Sequence, residues 1–193
     1  VKKPFFAVAE YWKDNDALLQ KYLCDEAYCL TLFDVPLHYN LFEAGTRGHD
    51  FDLRTIFDGT LVQSNPMNVV TFVDNHDSQR HQALESWIPA WFKPSAYALI
   101  LLRKDGYPCV FYGDYYGIGG IDPVPGMSDV LDRLLMIRQK YAYGDQIDVF
   151  DHPNVIAWQR TGDDGHPGSG LAAVISTGND GYKDLSFGTA AAQ

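Results

Sequence analysis

Cysteine is scarce in this sequence of 193 residues, which holds only Cys24, Cys29 and Cys109. An odd number spread over two distant regions builds no disulfide framework, and without a C-x-x-C there is no zinc knot or thiol redox pair. The three read as free or buried thiols, with a Cys24–Cys29 bridge as the alternative. No N-x-[ST] acceptor occurs, which leans towards reducing or unglycosylated surroundings. Long apolar runs are lacking as well. The longest, Ala96 to Leu102, falls far short of the roughly 20 residues a membrane span requires. Basic charge is the third shortage: 15 Lys and Arg stand against 25 Asp and Glu, a formal charge of −10. Holding nucleic acid by phosphate neutralisation needs the opposite balance, and so does an anionic membrane surface, so neither is expected as a partner. There is no initiator Met and no signal-peptide h-region. The sequence reads as a piece of something longer, which leaves export of a parent open while the localisation leans to the cytoplasm.

Several motifs are missing too. There is no G-x-G-x-x-G and no Walker loop; Gly117 to Gly120 follows a strand but lacks the Lys-Ser/Thr and reads as an ordinary loop. His38, His49, His81, His152 and His166 show no paired ligand spacing, so they read as surface or polar-network residues, and no metal site is assigned.

What remains is a globular composition, 46% hydrophobic and 14% aromatic, with enough apolar mass for a real core. Over residues 1–144 apolar runs alternate with helical segments. Pro4 to Ala9, Tyr28 to Phe33, Val69 to Val73 and Pro108 to Tyr112 read as strands buried on both faces. Helices are expected over Asp14 to Leu23, in two short pieces around Tyr39 to Ala44 and Asp52 to Phe57, and from Pro94 to about Lys104. Pro36 reads as a breaker after the second strand, Gly106 and Pro108 as a stop, and Ser128 as the cap of a further helix. Such alternation implies a parallel α/β sheet, either doubly wound or of the (β/α)₈ kind. From 145 to 193 the pattern changes. Ile147 to Phe150, Val155 to Gln159 and Leu171 to Thr177 are strands separated by Asp, Gly and Pro clusters, as expected for a second, antiparallel domain.

The chemistry is expected at the carboxyl ends of the parallel strands. Glu10 ends the first, beside Tyr11 and Trp12; Asp74, Asn75, His76 and Asp77 end the third. Two carboxylates, one near aromatics and one in a polar cluster, suit general-acid work on a glycoside. The plainer alternatives are a helix-terminal or salt-bridged Glu10 and an Asx-rich loop capping the next helix.

VAEYW (Val8 to Trp12), FVDNHD (Phe72 to Asp77) and GYPCVFYGD (Gly106 to Asp114) resemble the α-amylase family of glycoside hydrolases, in the order of its fifth, seventh and eighth barrel strands. FDVPLHY (Phe33 to Tyr39) is similar to the sixth strand of bacterial liquefying α-amylases and their intracellular fungal relatives. Tyr141 to Trp158 resembles that subgroup's entry into its C-terminal β domain. The resemblance implies the C-terminal half of a (β/α)₈ TIM barrel followed by the start of an antiparallel β-sandwich domain. It implies retaining endo-hydrolysis of α-1,4-glucosidic bonds in starch-type glucans by a complete parent, with Glu10 as general acid/base and Asp77 as the carboxylate stabilising the transition state. His76 would bind a sugar hydroxyl and Trp12 would offer an aromatic platform. The nucleophile, on the family's fourth strand, would lie outside this chain, and so would most calcium ligands, which the family draws from the N-terminal half of the barrel and its inserted domain. A further calcium of the liqufying subgroup, between barrel and β domain, is put in doubt by Pro153, Asn154 and Thr177. The alternatives are a transglycosylase of the same family and a non-catalytic glucan-binding protein; the fragment alone is expected to be inactive.

Overall fold

The structure, a computed structural model, describes residues 5–178 and 181–186. Four strands, β1 (Val8–Ala9), β2 (Thr31–Phe33), β3 (Val69–Phe72) and β4 (Tyr107–Cys109), form one sheet in the order β1-β2-β3-β4. Every pairing is parallel: Ala9 stands opposite Leu32, Phe33 opposite Val70, and Phe72 opposite Cys109. The order follows the chain with no reversal, whereas a doubly wound sheet requires a switch point. The sheet is curled enough for the ring of Phe6, just before β1, to lie 5.0 Å from that of Tyr107 in β4.

Helices α1 (Asp16–Asp25), α2 (Val35–Arg47), the short α3 (Leu61–Ser64) and α4 (Lys93–Leu101) connect these strands. Asn15 caps α1 by accepting from Leu18 N, and the helix buries Leu19 and Leu23. Two expectations need correction here. Pro36 does not end an element; it sits in the first turn of α2, where a missing N–H costs nothing, and Asp34 caps that helix by accepting from Leu37 N. A helix expected from Tyr39 is therefore one turn longer at its start. Ser128 is the first residue of α6 (Ser128–Tyr141) rather than its cap, since Met127 precedes it and no side chain bonds the first turn. The short helix around Asp52 to Phe57 is a single 3₁₀ turn at Leu53–Thr55.

The strands are shorter than their apolar runs. Regular pairing in the first begins at Val8, and Pro4 lies outside the described residues. The expected burial on both faces holds for β3 but not for the two outer strands: Val8 is 42% and Tyr107 62% exposed, since among the described residues β1 and β4 each pair with a strand on one side only. Gly106, at φ +78°, turns the chain into β4; a Cβ there would stand 2.8 Å from the Thr71 side chain. After β4 come α5 (Tyr112–Tyr116) and a two-residue ribbon of β5 (Gly117–Ile118) with β6 (Val124–Pro125), so the GIGG stretch is partly paired.

Beyond α6, β7 (Gln146–His152), β8 (Val155–Arg160) and β9 (Leu171–Ser176) form a three-stranded antiparallel sheet in sequence order. All six residues of β8 are buried, and Trp158 is fully enclosed. This sheet packs on the helical layer through Arg103. Its guanidinium makes a two-pronged bond to Asp148 (2.7 and 2.8 Å) and lies 4.3 Å from the Phe57 ring and 5.7 Å from that of Trp158. The three cysteines are unbridged; Cys24 and Cys29 are exposed.

Candidate functional site

Parallel strands deliver their carboxyl ends to one edge, and that edge carries the polar residues. Glu10 directly follows β1, with its side chain exposed. It makes no ion pair among the described residues, and the nearest helix begins six residues later with its own cap, Asn15. Neither plainer alternative for Glu10 is seen.

The loop after β3 is built around Asn75. Its Oδ1 accepts from the backbone N–H of Asp77 (3.0 Å) and of Ser78 (2.8 Å). This is an Asx turn, but no helix follows it directly, so it caps none. The other end of the same amide faces the first strand: Nδ2 donates to Glu10 Oε1 at 3.5 Å. One side chain thus ties the Asp77 loop to the acid on β1. The Asp77 side chain is 38% exposed and that of His76 71%, with His76 Nε2 lying 3.7 Å from Asp77 Oδ1. Both face solvent, where a ligand can reach them.

Trp12 is half-buried. Its ring packs edge-on against His38 at 5.6 Å and near Phe72 at 5.8 Å, while Nε1 donates to the Tyr39 hydroxyl at 3.1 Å. It serves the packing beneath the site and offers only its remaining surface outward.

Below this edge lies a buried polar layer that sequence reasoning did not connect to the site. His38 is fully buried; Nδ1 donates to the Val73 carbonyl (2.6 Å) and Nε2 meets Ser86 Oγ (2.7 Å). Burial pushes this imidazole down to about 4, and the Ser86 hydroxyl beside it donates to the Leu84 carbonyl at 2.8 Å. Asp34, also fully buried, accepts from Leu37, Leu61 and Val62 N–H groups. Burial raises it to about 6, against the lowering effect of those three bonds. Asp74 is pushed up to about 7, chiefly by burial and against the pull of Lys93. The one available signal was that Asp34 and Asp74 each directly follow a short, strand-like apolar run, where an unpaired charge is costly.

Among the described residues no group of three or more His, Cys, Asp or Glu side chains could hold a metal ion. At the junction of the two sheets, Asn154 Nδ2 donates to the His49 carbonyl and lies 3.5 Å from Thr177 Oγ1. A calcium ion takes six to eight oxygen ligands, carboxylates prominent among them. An amide pointing its N–H at a carbonyl, beside a single hydroxyl, does not fit that ion. No described helix is long and apolar enough to cross a membrane.

No protein-family profile matches the sequence. Among characterised proteins it is 53% identical over 186 residues to a glucan 1,4-alpha-maltohexaosidase of Bacillus sp. (strain 707), and 48% identical over 186 residues to an alpha-amylase of Geobacillus stearothermophilus. Each alignment takes in 96% of this chain, but the chain spans only 36% and 34% of the length of those relatives. Among solved structures, a cyclomaltodextrin glucanotransferase with a three-domain ABC distribution superposes with a TM-score of 0.63 at 22% identity, over 91% of this chain and 39% of that one.

Proposed function

We propose, for a chain that belongs to the α-amylase family of glycoside hydrolases, that it supplies the acid/base side of an active site that cleaves internal α-1,4 bonds of starch-type glucans. Residues 1–144 then form the C-terminal half of a (β/α)₈ barrel, and 145–193 begin an antiparallel β-sandwich domain. The unreversed strand order and the curl of the sheet favour this architecture over a doubly wound one. Catalysis belongs to a complete barrel, because a retaining reaction needs a nucleophilic carboxylate about 5–5.5 Å from the acid. The resemblance puts that group on the strand preceding β1.

Each residue here has a task. Protonated Glu10 gives its proton to the leaving glycosidic oxygen, and the resulting carboxylate later takes one from the attacking water. Asp77 holds sugar hydroxyls more tightly as the ring flattens towards an oxocarbenium ion, and that difference lowers the barrier. His76, exposed beside it, binds a further hydroxyl, and Trp12 offers the open part of its ring as an apolar wall. Calcium in a complete parent would be held mainly by residues outside this chain.

The observation that carries the reading is the Asn75 amide, which joins the Glu10 carboxylate and the Asp77 backbone on one edge of the sheet. The test is Glu10→Gln in a complete barrel containing this segment. Turnover of maltooligosaccharides should nearly vanish while their binding persists, since the amide keeps the shape but has no proton to give. Near-normal turnover would end the assignment.

A further inference from the structure

Beneath the site lies a buried ionic cluster that glycoside chemistry does not itself require. Lys93, at the start of α4, is 3% exposed. Its ammonium lies 2.8 Å from Asp74 Oδ2, bonds Asp114 Oδ1, and stands 3.0 Å from the centre of the Trp87 ring. Tyr97 donates its hydroxyl to the other Asp114 oxygen at 2.6 Å. All three ionisable groups are taken out of water, which costs several kcal/mol for each one that is ionised, and apolar side chains of similar volume commonly do as well or better for stability.

The cluster does not end at Asp74. Asp74 Oδ1 accepts from Ser78 Oγ at 2.8 Å, and that same Oγ accepts from the Asn75 backbone N–H at 2.9 Å. Asn75 in turn holds the Asp77 backbone and reaches Glu10. An unbroken chain of bonds therefore runs from a lysine in the helical layer, through Asp74 and Ser78, to the loop carrying one carboxylate and the amide facing the other. The backbone around it is fixed as well: Ser86 N donates to the Ser78 carbonyl, and Ile88 N to Asp74 Oδ2 at 3.3 Å.

We infer that Lys93 and Ser78 are positioning residues for the reaction: through Asp74 they fix the turn at Asn75, and so hold Asp77 and Glu10 in the relative placement that catalysis needs. The inference rests on the glycoside-hydrolysing reading above. Its energetic sense is that a misplacement of about 1 Å at reacting groups can cost about 100-fold in rate, more than a buried ion pair returns in stability.

Ser78→Ala is the deciding variant. It deletes one hydroxyl in the middle of the chain, changes no charge, and leaves the Lys93 pairs in place. In a complete barrel, kcat on maltooligosaccharides should fall about tenfold or more while KM moves by less than about threefold. The losses of Ser78→Ala and Asp77→Asn should also fail to multiply in the double variant, because the serine acts through the aspartate. Lys93→Met, where it folds, should show the same split between kcat and KM. An unchanged kcat in Ser78→Ala would overturn the inference, and so would a loss that multiplies fully with that of Asp77→Asn. If Glu10→Gln is inactive while Ser78→Ala is normal, only this inference fails; if Glu10→Gln is active, the reading of the site fails with it.

Discussion

Asn75 Nδ2 sits 3.5 Å from Glu10 Oε1, a contact between residues 65 apart in the chain. The amide cannot turn round without cost, because its oxygen already accepts two backbone N–H groups. Its donor end therefore faces the Glu10 carboxylate by constraint rather than by chance, and this amide links the two carboxylate-bearing segments.

Asp77 is expected to act on the transition state more than on the ground state. Asp77→Asn in a complete barrel should lower kcat by roughly 100- to 1,000-fold, the range seen when one stabilising contact to developing charge is removed. KM should change far less. Steady-state kinetics on maltooligosaccharides checks this, and a variant that raised KM while sparing kcat would make Asp77 a simple binding group.

Stability of the complete barrel should depend on pH in a way set by the buried layer. Asp74 and Asp34 are raised from 3.8 to about 7 and about 6, so the native state holds protons the unfolded chain has lost. Their contribution is fully present below 3.8 and is lost as pH rises through 6 and 7. His38 runs the other way. Lowered from 6.5 to about 4, it contributes fully above 6.5 and loses that contribution as pH falls towards 4. Two groups oppose one between pH 4 and 6, and Asp74 still titrates alone above 6.5. The urea midpoint should therefore be lower at pH 8 than at pH 5. His38→Gln should steepen the decline between pH 4 and 6.5, where the histidine offsets the acids.

The Asn154 amide bonded to the His49 carbonyl links the antiparallel sheet to the turn after α2. Asn154→Ala leaves that carbonyl and Thr177 Oγ1 without this partner, at a cost of about 1 kcal/mol. Amide hydrogen exchange should quicken at Leu53 N, which donates to the neighbouring Pro153 carbonyl at 2.7 Å. Unchanged exchange there would mean that Arg103 and its aromatic partners hold the junction by themselves.

A polypeptide of these 193 residues alone should self-associate. Among the described residues the outer edges of β1 and β4 pair with no strand, and Phe5, Phe6 and Tyr107 there are 88%, 56% and 62% exposed. Unpaired edges flanked by aromatics are templates for another chain, and a charge of −10 is screened beyond about 10 Å at ordinary salt. Sedimentation velocity should show species larger than a monomer, and the fragment should be inactive on starch. A compact monomer with a cooperative melt would contradict this.

The sequence by itself determined the class of fold and the positions of the acids. Apolar, strand-like runs alternating with helices imply parallel strands whose carboxyl ends share one edge, so Glu10, after the first run, and the Asp74 to Asp77 cluster, after the third, could be placed there from the sequence; which of the two aspartates is buried could not, and it is Asp74. Local chemistry also determined α1, through Asn15 and the leucine spacing. Other features had to wait for the tertiary structure. Pro36 breaks a helix interior but begins a helix equally well, and the choice fell to Asp34, whose carboxylate gathers the N–H of Leu37 in α2 and those of Leu61 and Val62 in α3. The linkage of Lys93 to Asp74, Ser78 and Asn75 was invisible for the same reason. Lys93 belongs to α4 and the other three to the loop after β3, and only the packing of α4 against the end of β3 brings the lysine within reach of Asp74, where burial gives the bond its consequence.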